Sequence, residues 1–266
     1  MDANKIKFRC SSLGYLMTKP RSKSEMISET TKTHLVDVYV SEQYNRFTEI
    51  SGKQLDKGNE VEEDSITVIS RITKEFLKKN EDSLENDFIK GTPDIYLGKS
   101  IHEAEIIRDA KSSWDVYTFN RAKHKELSDN YKWQVKGYMA LTGAKQAYVD
   151  YCLNNTPYHI LNGELMRESY KHPEGNTPNW IELQIIANHV YDFQTFKEYV
   201  NIRGCNPVDD YSKAVYEGFV EIPLIERHHA FYVEHSDSDI EMLYHKIDWC
   251  RDWMNKHLFK NTLIEA

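Results

Sequence analysis

The stretch Gly91-Thr92-Pro93-Asp94-Ile95-Tyr96-Leu97-Gly98-Lys99-Ser100-Ile101-His102-Glu103-Ala104-Glu105-Ile106-Ile107-Arg108-Asp109-Ala110-Lys111 decides how this chain is read. Gly91-Thr92-Pro93 is a turn signal, and Asp94–Gly98 and Ala104–Lys111 are short β-prone runs bounded by turn residues, which predicts two adjacent strands, a hairpin. In Asp109-Ala110-Lys111 the alternation of a strand sends the carboxylate and the ammonium to one face. The intervening turn lets Asp94 stand beside Asp109 at the ends of neighbouring strands. Two carboxylates and an ammonium on one face, with a small Ala between, suit a hard divalent cation; magnesium prefers oxygen ligands and keeps several waters. A bare Asp-x-Lys tripeptide is most often a surface ion pair, so the surrounding sequence has to carry the argument.

Upstream, Val61, Ser65, Val68, Ile72 and Phe76 recur at helical spacing and predict a helix over 57–79. Downstream, helices are expected near 115–127 and 131–142, the second closed by Gly143, followed by a central strand over 147–153. Helix, two strands, two helices and a strand make an α/β core with a mixed sheet. Farther on, the pattern predicts a long helix over 179–202, strands near 219–225 and 229–235, and a last helix over 238–259 capped by Ser236 or Asp237. There is no internal repeat or long Gly/Ser linker, so a single domain over 1–266 is expected, with a catalytic core at about 57–155.

Gln134 and Tyr138 are four apart and share one face of the 131–142 helix. The series Pro93-Asp94, Asp109-Ala110-Lys111, Gln134 and Tyr138 resembles the PD-(D/E)XK nuclease superfamily, especially its branch with a QxxxY motif. Within it, the chain is similar to the phage lambda exonuclease family, also called YqaJ-type viral recombinases, in which a Gly precedes the metal-binding Glu by four residues. Gly58 then selects Glu62, with Glu60 and Glu63 as alternatives because periodicity does not fix the helix phase. Ser11-Ser12-Leu13-Gly14 followed by Lys19-Pro20-Arg21-Ser22 is similar to the family's opening element, and His229–Glu234 with the helix after it to its closing elements. Asp109 stands where some members have Glu, and the QxxxY spacing is that of the wider superfamily, which leaves the role of Tyr138 open.

The resemblance implies a restriction-endonuclease-like core, a mixed sheet flanked by helices, with extra N- and C-terminal helices. It implies one or two Mg²⁺ (or Mn²⁺) ions held by Glu62, Asp94, Asp109 and the backbone carbonyl of Ala110. Lys111, Gln134 and Tyr138 would complete the catalytic group, and Ser11, Ser12 and Arg21 would contact a DNA 5′-phosphate. For Ser11 or Ser12 the plain alternative is a helix N-cap. The implied activity is a 5′-to-3′ exonuclease on linear duplex DNA in phage-type recombination, yielding 5′-phosphate products. The implied partners are DNA ends, further copies of the chain, as a ring-shaped trimer, and a single-strand annealing protein. A repair or defence endonuclease on the same core and a catalytically dead DNA-binding module are the alternatives.

Composition sets the outer bounds. With 40% hydrophobic and 29% charged residues, five Trp, seventeen Tyr and ten Phe, the chain has the profile of a folded protein. No apolar run approaches a membrane span and the opening MDANKIKFRC lacks a signal-peptide core, so a cytoplasmic location, in a bacterium or phage-infected host, is expected. Cys10, Cys152, Cys205 and Cys250 form no CxxC pair, which speaks against a zinc ribbon and against the four-Cys cluster of some superfamily exonucleases. A net charge of −8 disfavours a general nucleic-acid binder but leaves room for a local basic groove from Lys19, Arg21, Lys123 and Lys125. His102-Glu103 has no PCxxC partner, and Walker A and GxSxG motifs are absent. His228-His229 reads as surface. Trp114, Tyr117 and Phe119 read as core packing ahead of base stacking.

Overall fold

The computed structural model describes residues 2–47 and 52–259. In chain order its regular elements are β1 (Phe8–Arg9), α1 (Leu13–Leu16), α2 (Glu29–Tyr44), α3 (Lys53–Glu60), α4 (Glu62–Thr73), β2 (Leu84–Glu85), β3 (Ile89–Gly91), β4 (Ile95–Gly98) and β5 (Ala104–Ser112). Then come α5 (Val116–Lys123), α6 (Asp129–Thr142), β6 (Gln146–Cys152), α7 (Tyr158–Ser169), α8 (Asn179–Ala187), α9 (Phe193–Arg203), α10 (Asp210–Glu217), β7 (His228–Glu234) and α11 (Asp237–His257). This is the expected mixed α/β architecture. The main sheet has the order β4-β5-β6-β7, with β4 antiparallel to β5, β5 parallel to β6 and β6 antiparallel to β7. A smaller sheet, β1-β3-β2, lies upstream of the hairpin in sequence.

Strand alternation divides the main sheet into two unlike faces. Ile107, Ala147, Val149 and Val233 join the principal core with Val135, Tyr138 and Met139 of α6 and Leu243, Ile247 and Cys250 of α11. Ile95, Ala110 and Cys152 point the other way, onto Ile66, Val68 and Ile69 of α4. A separate apolar cluster, including Leu161, Leu183, Phe196 and Val200, holds α7, α8 and α9 together.

Helix α6 is buried on nearly every side. Ser128 caps its start, accepting from Tyr131 N, and Gly143 closes it at φ 81°, a left-handed conformation that favours glycine. Two glycines let its neighbours come close: a Cβ on Gly137 would lie 2.6 Å from Leu13 Cδ1, and one on Gly91 would lie 2.8 Å from Tyr138 Cε1.

Three expectations are corrected. The helix over 57–79 is two helices broken at Val61, and it stops at Thr73, where Lys74 turns left-handed at φ 61°. Phe76 is therefore not on a buried helix face; it is 87% exposed. The long helix over 179–202 is α8 and α9, parted at 188–192 because the backbone there bonds elsewhere. His189 O accepts from Thr156 N, Tyr191 O accepts from Ile222 N, and the Asp192 side chain caps α9. The strand near 219–225 is irregular chain ending in a short 3₁₀ turn, Leu224–Arg227. The strand at 229–235 and the last helix are present, the helix capped by Ser236. No helix among the described residues is long and apolar enough to cross a membrane.

Candidate active site

The hairpin places the acids. Its last paired residues are Ile95 and Arg108, so Asp94 stands one step farther, opposite Asp109, where β4 has ended and the edge of β5 is free of a strand partner. Asp94 Oδ2 takes the missing partner's place and accepts from Ala110 N at 2.8 Å. The carbonyl of Ala110 points to the same edge, because both backbone polar groups of a strand residue face one way.

Asp109 is fully buried and points with Lys111 toward α6, as period-2 alternation requires. Gln134 Nε2 donates to Asp109 Oδ1 at 3.0 Å and to Tyr138 Oη at 2.9 Å, so the QxxxY face of α6 is bonded directly to the carboxylate. Lys111 Nζ lies 2.8 Å from Asp109 Oδ2 and 5.0 Å from the centre of the Tyr131 ring. Asp109 Oδ2 is buried and faces the Lys111 ammonium.

Glu62 is the first residue of α4, and its charge acts on both Asp94 and Asp109. Of the alternatives, Glu60 pairs with His159 at 3.0 Å and Glu63 is exposed. Glu62 itself is paired: Lys79 Nζ donates to Glu62 Oε2 at 2.9 Å. Lys79 was not singled out in the sequence because 75–79 read as the end of a helix. The polar run Asn80-Glu81-Asp82-Ser83 was the available sign that the chain had already left it.

Burial and the neighbouring Asp109 push the Asp94 carboxyl up to about 7, against the pull of Lys111. Burial likewise raises Asp109. Burial works against the Lys111 ammonium, but Asp109 and Asp94 outweigh it and hold its pKa above the ordinary lysine value. Burial and Asp109 keep the Tyr138 phenol protonated. Among the described residues, no three His, Cys, Asp or Glu side chains stand close enough as arranged to hold a metal ion. The donor set nonetheless fits a hard cation. The half-buried Asp94 and fully buried Asp109 carboxylates repel one another, and all the donors are oxygens.

The other candidates are scattered. Ser11 and Ser12 line a cleft of about 1080 Å³ together with Arg9, Tyr15, His34 and Lys90. Ser12 does not cap α1 through its side chain; its hydroxyl donates to Arg9 O at 2.9 Å. Arg21 is exposed and is not among the residues lining this cleft. Trp114 is engaged by packing, its carbonyl accepting from buried Lys57 at 2.9 Å and its ring lying 4.8 Å from Lys53 Nζ. Phe119 is buried and Tyr117 exposed. His228, read as surface, is bonded to buried Asp150, which also pairs with Arg108. All four cysteines are buried and free.

No family model matches the sequence, and no curated protein does. Solved structures do. The chain is similar to a phage-related exonuclease from Haemophilus somnus 129PT, with a TM-score of 0.66 and 22% identity over 95% of each chain. The chain has the fold of an exonuclease. It is also similar to the alkaline exonuclease LHK-Exo from Laribacter hongkongensis, with a TM-score of 0.56 and 12% identity, covering 96% of this chain and 90% of that one. LHK-Exo in complex with dAMP aligns at a TM-score of 0.56 and 13% identity. The phage-related and alkaline exonucleases thus share this fold over nearly the whole chain.

Proposed function

We propose that this chain is a Mg²⁺- or Mn²⁺-dependent deoxyribonuclease that digests linear duplex DNA from a 5′ end and leaves 5′-phosphate products. The observation that carries the reading is the set Asp94, Asp109 and Lys111 on one face of a hairpin, bonded through Gln134 to α6, within a fold shared with exonucleases.

Glu62, Asp94, Asp109 and the Ala110 carbonyl would hold one or two divalent ions. Such ions lower the pKa of an attacking water and stabilise the departing oxygen of an in-line displacement. The chain's own residues do the positioning. Ala110 N fixes the Asp94 carboxylate in one rotamer, leaving its other oxygen to face the site. Gln134 fixes Asp109 through Oδ1 and leaves Oδ2 toward the Lys111 ammonium, where a cation would have to share it. Lys111, charged at neutral pH and aimed at the same point, orients the nucleophile and offsets charge on the phosphate. Tyr138, protonated and accepting from Gln134, keeps that amide turned toward Asp109.

The cleft beside β1 and α2 supports a place for the 5′-terminal phosphate. Ser11 supplies a hydroxyl there, with Arg9 and Lys90 as the cations in the role expected of Arg21. Arg9 and Lys90 are paired in register across β1 and β3, and β3 runs directly into the turn that presents Asp94.

End-labelled linear and closed circular duplexes, incubated with Mg²⁺, test the reading. Linear DNA is expected to be consumed and circular DNA spared, with EDTA stopping the reaction. Asp109→Ala and Lys111→Ala should each lose at least about a hundred-fold in rate while still binding DNA. Activity of either variant within ten-fold of wild type, or full activity after exhaustive chelation, overturns the assignment.

A further inference from the structure

Lys79 lies in the connection between α4 and β2, outside any helix or strand, yet its place is fixed. The next residue, Asn80, is buried; its backbone N–H donates to Asp94 O at 2.7 Å and its amide to Pro93 O at 2.9 Å. The chain at 79–80 is therefore tied to the residues that present Asp94. From that anchor the Lys79 ammonium reaches Glu62 at 2.9 Å. The two side chains are 38% and 26% exposed, and an ion pair so placed shifts an equilibrium by no more than roughly five-fold. The pair is held in position but easily parted.

We propose that Lys79 exchanges partners: it competes with a divalent cation for Glu62 and, once displaced, takes the phosphodiester anion docked beside Asp94. The proposal rests on the nuclease reading above. Lys79 holds Glu62 through Oε2, and a divalent ion bound by the same carboxylate repels the ammonium beside it, so metal binding favours release of Lys79. Its backbone anchor keeps the freed ammonium within one side-chain length of the site. Lys111 stands on the Asp109 side of the site, against Asp109 and the Tyr131 ring, whereas Lys79 is the cation paired with Glu62. A substrate phosphate is the anion that arrives there, and a lysine meets phosphate as a mobile point charge without needing fixed geometry.

The test compares wild type, Lys79→Met and Lys79→Arg. Mn²⁺ binding without DNA is measured by calorimetry, and binding of a fluorescent linear duplex in Ca²⁺ is measured over a range of salt. Lys79→Met should bind Mn²⁺ about two- to five-fold tighter, because its competitor is gone. It should bind DNA more weakly, with a salt slope reduced by about one. Lys79→Arg should restore both values. Unchanged or weaker Mn²⁺ binding by Lys79→Met, or unchanged DNA affinity and salt slope, overturns the exchange. If wild type takes up no Mn²⁺ at all, the metal-dependent reading falls and this inference with it. If wild type binds Mn²⁺ and Lys79→Met matches it, only the role of Lys79 falls.

Discussion

Asp94→Asn should make the metal-free protein more stable while removing its activity. The Asp94 carboxyl ordinarily titrates at 3.8 but is pushed up to about 7 here by burial and by Asp109, so the folded state holds its proton more tightly than the unfolded chain does. Stability from this group is fully present below 3.8 and is lost as the pH rises through about 7. The gap between the two values corresponds to about 4 kcal/mol if taken whole. Asp94 is only half-buried at the residue level, and a divalent site tolerates some water, so a realistic share is about 1–2 kcal/mol. Asparagine keeps an oxygen to accept from Ala110 N, so the hydrogen bond that orients the side chain survives the change.

For a chain of this size, ~1–2 kcal/mol appears as a rise in Tm of about 2–6 °C. The assay is thermal unfolding in EDTA at pH 5 and pH 8. At pH 8 the wild type carries the full repulsion and the variant does not, so the gain should be largest. At pH 5 the folded carboxyl is protonated but the unfolded one is not, so the gain should fall to about a third of its value at pH 8 and vanish only below 3.8. A variant no more stable than wild type at pH 8, or equally stabilised at both pH values, would refute the reasoning.

Gln134→Ala should cost about 1–3 kcal/mol of stability, because buried Asp109 and Tyr138 each lose their hydrogen-bond donor, and cleavage should fall; urea unfolding and single-turnover rates check both. Tyr138→Phe, which leaves Gln134 free to serve Asp109, should lose less than about ten-fold in rate. If Arg9 and Lys90 hold a terminal phosphate, a double substitution to Met should erase any preference for phosphorylated over dephosphorylated 5′ ends; Arg21→Met, away from the cleft, should leave that preference intact.

The hairpin and α6 were legible in the sequence because each rests on local rules. Turn residues bound β4 and β5, alternation puts Asp109 and Lys111 on one face, and a four-residue spacing puts Gln134 and Tyr138 on another. What the sequence hid depends on contacts between distant segments. The break between α8 and α9 exists because Thr156 N and Ile222 N donate to the carbonyls of His189 and Tyr191 while the Asn155 side chain accepts from Tyr191 N, and an apolar run read alone continues as helix. Lys79 and Asn80 were hidden for a similar reason: the helical period of α4 extrapolates past Thr73, and only the bonds of Asn80 to Pro93 and Asp94 show where that segment belongs. Arg9 and Lys90 were passed over because two lone cations in separate strands carry no spacing signal, and only strand pairing brings them together.

These contacts share a purpose that follows from the electrostatics. Two carboxylates side by side, one fully and one half-buried, are unfavourable, and a chain selected for stability alone would replace one of them. Here every neighbouring element offsets part of that cost without removing it. Lys111 balances one charge, Ala110 N and Gln134 each satisfy one carboxylate oxygen, and Lys79 neutralises Glu62. What remains is the repulsion between Asp94 and a fully buried Asp109, which Lys111 offsets only in part and which leaves the Asp94 carboxyl pushed up to about 7. A divalent cation would relieve it, so its binding energy would draw on repulsion already present in the fold. Substitutions that relax the repulsion should therefore trade affinity for stability, and the pH dependence of Asp94→Asn measures how much repulsion the fold retains.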